Sequence, residues 1–394
     1  MTIQADGKFA VEAQLAVVNR ALDATYKRAI EVDKINGDIR VLNIATDRYI
    51  IFSDVHRGAR NRADDFLRAE RAYNAALAYY LKMGYTLITL GDIEELWEER
   101  PAVVIKAYPR TFALEAQFHQ QGRYFRVWGN HDDEWQYAER VQQLLHKVYG
   151  DPPLLAHESL RFRVLDGEKE LGMLFLIHGH QGDLKSDRFS ALSRLIVRYI
   201  WRPLQRLTGI YLNTPAHSWS LREKYNIAMY NWAKKQRGLV LIAGHTHRPV
   251  FKSQSHEMQI REQLAEMETK AGDTPTPEQI KEMAKLLAEV EWVVAQPGKS
   301  TGKALHGLWK GLACYLRFAG FYPRFGAGPI RDVDKSMTKP CYFNTGCSSY
   351  NDGDITGLEI ADGDIRLVRW PDKEKKPRPY ELAVTSLREV FSKV

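Results

Sequence analysis

The stretch Tyr49-Ile50-Ile51-Phe52-Ser53-Asp54-Val55-His56 sets the reading of this 394-residue chain. A continuous apolar run rich in β-branched and aromatic residues is the pattern of a strand covered on both faces, and here it stops at a carboxylate and an imidazole. Four further segments repeat the unit. Residues 86–90 run into Gly91-Asp92, 124–128 into Gly129-Asn130-His131-Asp132, 173–177 into His178-Gly179-His180, and 239–243 into Gly244-His245-Thr246-His247. Ligands in α/β folds collect beyond strand carboxyl ends, so the repetition predicts one shared crevice. Helical patterns within 63–83 and near 103–121 separate the first three strands, which predicts an α/β core from about Val41.

Composition narrows the class without fixing a partner. Hydrophobic residues at 44% and charged residues at 27% are ordinary for a globular protein and argue against disorder. The net charge of +7 suits an anionic substrate, but over this length the excess is mild. Cys314, Cys341 and Cys347 show neither CxxC spacing nor a disulfide framework, so reduced thiols and a metal site without thiolate are expected. The first ten residues lack a leader pattern, and no run reaches the ~18 apolar residues that span a bilayer. The expected location is cytoplasmic.

Residues 1–40 form an N-terminal helical appendage, with Val11, Leu15, Val18, Leu22, Tyr26 and Ile30 at helical spacing. Near the other end, 358–368 reads as a hairpin turning at Asp362-Gly363. Two mainly helical insertions break the α/β rhythm. The first, 184–237, is a candidate lid carrying Arg194, Arg198, Arg202 and Arg206 beside apolar residues, which leaves peripheral membrane contact through 184–210 open. In the second, 255–338, Thr276 and Gln279 form a capping box around Pro277, and a glycine- and aromatic-rich stretch follows over 298–328.

Asp54 and His56, one residue apart, would share a face in extended chain and chelate one ion, and His245 and His247 repeat the spacing. Asp92 can bridge through its two oxygens, Asn130 offers an amide oxygen and His178 an imidazole. Seven N/O ligands exceed what one ion needs if water positions stay open, so two divalent ions are expected. Manganese is preferred, and iron, zinc and cobalt suit the same donors. Two cations ~3.5–4 Å apart can share a hydroxide for in-line attack on a phosphoryl centre, which points to phosphoester hydrolysis. His131, next to ligand Asn130, is then placed to stabilise the transition state or protonate the leaving oxygen.

Together, Asp54-x-His56, Gly91-Asp92, Gly129-Asn130-His131-Asp132, His178 and Gly244-His245-x-His247 resemble the motif set of the calcineurin-like metallophosphoesterases. The resemblance covers 41–183, 238–254 and the strands of 339–394. It implies a four-layer α-β-β-α sandwich of two mixed sheets flanked by helices. It implies that Asp54, His56, Asp92 and His247 hold one ion and Asp92, Asn130, His178 and His245 the other. His131 would be the proton donor and Glu95 the carboxylate that orients it.

Leu96 stands where protein phosphatases of this superfamily have arginine, and Asp132 where they have glutamate. Gly91-Asp-Ile-Glu-Glu95-Leu-Trp97 is instead similar to a stretch of bacterial UDP-2,3-diacylglucosamine pyrophosphohydrolases, which commonly carry arginine at the position of His131. The leading expectation is a phosphohydrolase of a small monoester, diester or nucleotide-like pyrophosphate. The alternatives are a membrane-surface pyrophosphohydrolase of a lipid-linked nucleotide, a metal-dependent nuclease, and a non-catalytic scaffold. Nucleic acid is not an expected partner, and oligomeric state is unreadable. Arg57 and Asp183, beside ligands, are read as structural, and His180 is open between lining the pocket and holding its loop.

Overall fold

Strand β2 (Tyr49–Phe52) shows how side-chain alternation builds the layers in the computed structural model, which describes residues 2–37, 39–182, 219–271, 276–294, 337–350, 352–372 and 376–394. Tyr49 and Ile51 join one apolar cluster and Ile50 and Phe52 another, all four buried. Cover on both faces is why the run carries no polar alternation.

The chain forms two mixed seven-stranded sheets flanked by helices. In the first sheet β2 lies beside β3 (Thr86–Leu90), β4 (Tyr124–Val127) and β5 (Ala156–His157), all parallel, and on its other side β12 (Ile355–Ala361), β13 (Asp364–Trp370) and β14 (Tyr380–Ser386) are antiparallel. The second sheet runs β1 (Arg40–Asn43), β6 (Ser159–Asp166), β7 (Lys169–Ile177), β8 (Leu239–Ala243), β11 (Tyr342–Thr345), β9 (Pro249–Phe251), β10 (Gln254–Ser255). Here β7, β8 and β11 are parallel neighbours. One cluster joins Ile51, Ile88, Leu90 and Leu358 of the first sheet to Phe162, Leu176, Val240 and Ile242 of the second, so the core between the sheets is continuous.

Helices cover the outer faces. Ile50, Phe52 and Leu87 pack with Tyr73, Leu77 and Tyr80 of α2 (Glu70–Lys82), Phe112 of α4 (Pro109–Gln120) and Leu145 and Tyr149 of α5 (Ala138–Tyr149). On the second sheet α1 (Thr2–Asn36) buries Val18, Leu22 and Ala29. Tyr26 meets Phe175 edge-on at 5.0 Å, and Trp232 of α6 (Trp219–Lys235) donates to Asp23 Oδ1 at 2.8 Å. The expected appendage is therefore an integral layer.

Several boundaries differ from expectation for local reasons. The helix expected over 103–121 is two, α3 (Pro101–Ala107) and α4, because Pro109 lacks an N–H and takes Tyr108 out of the helical region to φ −126°, ψ 50°. The run 173–177 is the end of a nine-residue strand paired antiparallel with β6. The 358–368 hairpin stands, with Asp362 and Gly363 at φ 55° and 86°. Residues 254–338 form a separate compact unit, in which α7 (His256–Ala271) and α8 (Pro277–Val294) pack through Ile260, Leu264, Met283 and Leu286. Its capping box is formed, Thr276 N donating to Gln279 Oε1 at 2.8 Å and Gln279 N to Thr276 Oγ1 at 3.3 Å. The arginine stripe at 194–206 and the membrane contact expected through 184–210 lie outside the described residues, as do Asp183, Cys314 and 298–328. No helix among the described residues is long and apolar enough to cross a membrane.

Beneath the strand ends of the first sheet runs a buried ionic layer. Arg57 donates to Glu94 Oε1 at 2.6 Å and to Glu115 Oε1 at 2.9 Å, and Glu94 also accepts from Arg126 and from Trp135 Nε1. Arg57, Glu94, Glu115 and Arg126 are all fully buried, so the structural reading of Arg57 holds. Removing one partner of a buried ion pair strands the other, at ~3–5 kcal/mol. Arg57→Met is expected to destabilise the protein by about that amount in urea denaturation.

Candidate metal centre

The parallel neighbours β2, β3 and β4 end on Asp54, Asp92 and Asn130, and β7 and β8 end on His178 and His245. Side chains from four of these ends, with His56, His131 and His247, form three overlapping groups. These are Asp54, His56 and His247; His56, Asp92 and His131; and Asp92, His178 and His245, with the ligand atoms of each within 4.8 Å of one another. The six histidines and aspartates among the seven expected ligands all fall in these groups of imidazoles and carboxylates. Asn130 sits between Gly129, where a Cβ would collide with Asp92 Oδ1, and His131, whose N–H donates to that oxygen at 2.8 Å.

The backbone that gathers them is not the extended chain expected for the Asp-x-His and His-x-His pairs. Asp54, His56, Asp92, His245 and His247 all have positive φ, between 51° and 68°. Left-handed backbone at a residue with a Cβ costs about 1–3 kcal/mol, so the surrounding bonds must hold it. Val55 N and His56 N both donate to Asp92 O at 2.9 Å, and Asp132 accepts from Gly129 N at 2.6 Å, Asp92 N at 3.2 Å and Ile93 N at 3.0 Å. The last residue of Gly-Asn-His-Asp thus ties the β3 and β4 loops together. Glycines admit the close packing: a Cβ at Gly91 would strike the His178 ring, and one at Gly244 would come to 2.7 Å of Asp54 Oδ2.

Each carboxylate divides its oxygens. Asp54 Oδ2 accepts from Ser53 Oγ and, at 2.9 Å, from His245 N, while Oδ1 lies 3.2 Å from His247 Nε2 and 3.9 Å from His56 Nε2. Asp92 Oδ1 takes the His131 N–H, and Oδ2 lies 3.1 Å from His178 Nε2 and 3.8 Å from His56 Nε2. A single oxygen of Asp92 thus faces both His56 and His178. The imidazoles divide in the same way. His178 Nδ1 donates to Leu90 O at 2.9 Å, His56 Nδ1 to Glu95 Oε2 at 3.0 Å, and His247 Nδ1 lies 3.2 Å from Cys347 Sγ, so each ring turns Nε2 toward the centre.

This arrangement fits metal ions. Asp54 Oδ1, Asn130 Oδ1 and His178 Nε2 are buried and have no hydrogen-bond partner among the described residues, His178 Nε2 lying near Asp92 Oδ2 but out of line for a bond. Buried carboxylates without compensation are strongly unfavourable. The negative field shows in the titrating groups. Burial opposes charge on His178, yet Asp92 and Asp54 push it up to about 9. Burial would raise Asp92, yet the His178 and His131 rings hold it well below the usual carboxylate range. The donors are imidazole, carboxylate and amide oxygen, the set that suits borderline divalent cations.

His131 sits at the rim. Its Nδ1 lies 2.8 Å from Glu95 Oε2, which also holds His56, and Glu95 stays ionised, pulled to about 2 by the two rings against the effect of burial. Burial lowers His131, but Glu95 and Asp92 carry it to about 10. His180 is buried between His178 and Trp128, each ring 5.5 Å away, and burial beside His178 drops it to about 3.

Two contributors escaped the sequence reading. Cys347 belongs to none of the three groups, yet its Sγ is the contact on His247 Nδ1, so a thiol does border the centre. Ser53 Oγ is 2.6 Å from Thr345 Oγ1 at the end of β11. The signal was the same strand-then-glycine rhythm, Tyr342-Phe343-Asn344-Thr345-Gly346-Cys347, at a sixth strand end. No protein-family model matches the chain, and no curated protein is significantly similar to it in sequence.

Partners behind metal ligands typically govern affinity by ~10–100-fold. Gly129→Ala, which drives a Cβ into Asp92 Oδ1, is expected to lower Mn²⁺ retention at least about tenfold by elemental analysis while the circular dichroism spectrum is kept. Cys347→Ala is expected to weaken Mn²⁺ binding about tenfold in calorimetric titration, with Cys347→Ser close to wild type.

Proposed function

We propose that this chain is a calcineurin-like metallophosphoesterase that hydrolyses a small phosphorylated substrate, a monoester, diester or nucleotide-like pyrophosphate, using two divalent cations, manganese first among them. The observation that carries the reading is Asp92 Oδ2, 3.8 Å from His56 Nε2 in one group and 3.1 Å from His178 Nε2 in another. When bound, such cations supply positive charge to phosphoryl oxygens and acidify water. Asp54, His56, Asp92 and His247 would hold one, and Asp92, Asn130, His178 and His245 the other.

The rest of the chemistry belongs to His131 and Glu95. With Nδ1 held by Glu95, the ring presents its Nε2 proton to a leaving-group oxygen, and its side chain is 27% exposed where the ligands are mostly buried. Glu95 keeps the imidazolium form and fixes the ring plane.

Chelator-treated protein is expected to lose hydrolysis of aryl phosphates and regain it with Mn²⁺, and Asp92→Asn to reduce turnover by ~10²–10³-fold or more. A panel of monoesters, diesters and pyrophosphates then ranks substrate class. Full activity in Asp92→Asn, or in the chelated protein, sinks the reading.

A further inference from the structure

We infer that Trp97 is a positioning residue that fixes the ligand amide Asn130 and the proton donor His131 in one geometry, an inference that takes its catalytic half from the phosphoesterase reading. The indole Nε1–H donates to Asn130 O at 2.5 Å, and the same ring lies against the His131 imidazole, centroids 4.5 Å apart and planes 19° from parallel. One rigid bicycle therefore grips two consecutive residues by different means. An indole N–H only donates, so this bond cannot reverse its polarity.

The neighbouring bonds show what remains for Trp97 to do. Gly129 N is held by Asp132, His131 N by Asp92 Oδ1, and His131 O accepts from Leu96 N at 3.0 Å. The Asn130 carbonyl completes the set, and the indole is what it meets. Rotation of the peptide between Asn130 and His131 would swing the buried Asn130 Oδ1 away from the centre and tilt the imidazole off Glu95 together. The stack blocks the face of the ring while its nitrogen edge stays on Glu95.

Two variants separate the contacts: Trp97→Phe keeps an aromatic face and removes the N–H, and Trp97→Leu removes both. In calorimetric titration of the metal-free full chain with Mn²⁺, Trp97→Phe is expected to bind about tenfold more weakly than wild type. Trp97→Leu is expected to slow phenyl phosphate at least about tenfold more than p-nitrophenyl phosphate, because the poorer leaving group needs the proton more. Wild-type Mn²⁺ affinity in Trp97→Phe, or equal slowing of the two esters in Trp97→Leu, reduces Trp97 to packing and overturns the inference. If wild-type protein hydrolyses neither ester, the monoester form of the functional reading falls, and the Mn²⁺ titration alone decides for or against Trp97.

Discussion

Two aspartates at the ends of neighbouring strands each give one oxygen to the scaffold and keep the other for the centre, and the rest of the site follows from that division. Asp54 uses Oδ2 to accept the His245 N–H, and Asp92 uses Oδ1 to accept the His131 N–H. Each bond crosses from one loop to another, so the carboxylates orient the loops that bring the histidines. The first links the two sheets, since Asp54 follows β2 and His245 follows β8; the second links β3 to β4 within one sheet. Because the oxygen on each scaffold side is satisfied by a backbone donor, the remaining oxygen has a fixed direction.

Two pools of buried charge lie close together and differ in how they are balanced. Below, Arg57 and Arg126 are paired with Glu94 and Glu115 in a layer of permanent opposite charges. Above, the cationic groups paired with Asp54, Asp92 and Glu95 are imidazoles, whose positive charge depends on taking up protons. Asp132 touches both, accepting from Arg126 at 3.4 Å and from the loop amides above. The lower layer is thus balanced by its own arginines, and the upper one is where a cation would add favourable energy.

The α/β class and the convergence of the strand-end clusters were legible because period-2 side chains on doubly covered strands leave continuous apolar runs. The gathering of Asp54, His56, Asp92, His178, His245 and His247 was legible because carboxylate and imidazole groups at such ends have few other reasons to recur. What the sequence hid was how the backbone delivers them. Residues one apart suggested extended chain, whereas Asp54, His56, His245 and His247 lie in left-handed turns, a choice fixed by glycine contacts and cross-loop hydrogen bonds. Cys347 was hidden for a different reason: its contact on His247 links positions 100 residues apart through the β8–β11 pairing, which no local pattern encodes. Strand β6 was missed because polar residues such as Arg161 and Arg163 interrupt its apolar run, and β5 because it is two residues long.

The left-handed turns also decide which amino acids these positions tolerate. Asp, Asn and His adopt such backbone several-fold more readily than other residues with a Cβ, and they are also oxygen and nitrogen donors, so conformational and chemical selection coincide at Asp54, His56, Asp92, His245 and His247. Alanine at any of the five deletes a donor and strains the turn at once, confounding the two losses. Glycine, which enters this region without steric conflict, removes the donor and leaves the turn relaxed. In this protein a glycine scan, not an alanine scan, isolates the contribution of each side chain.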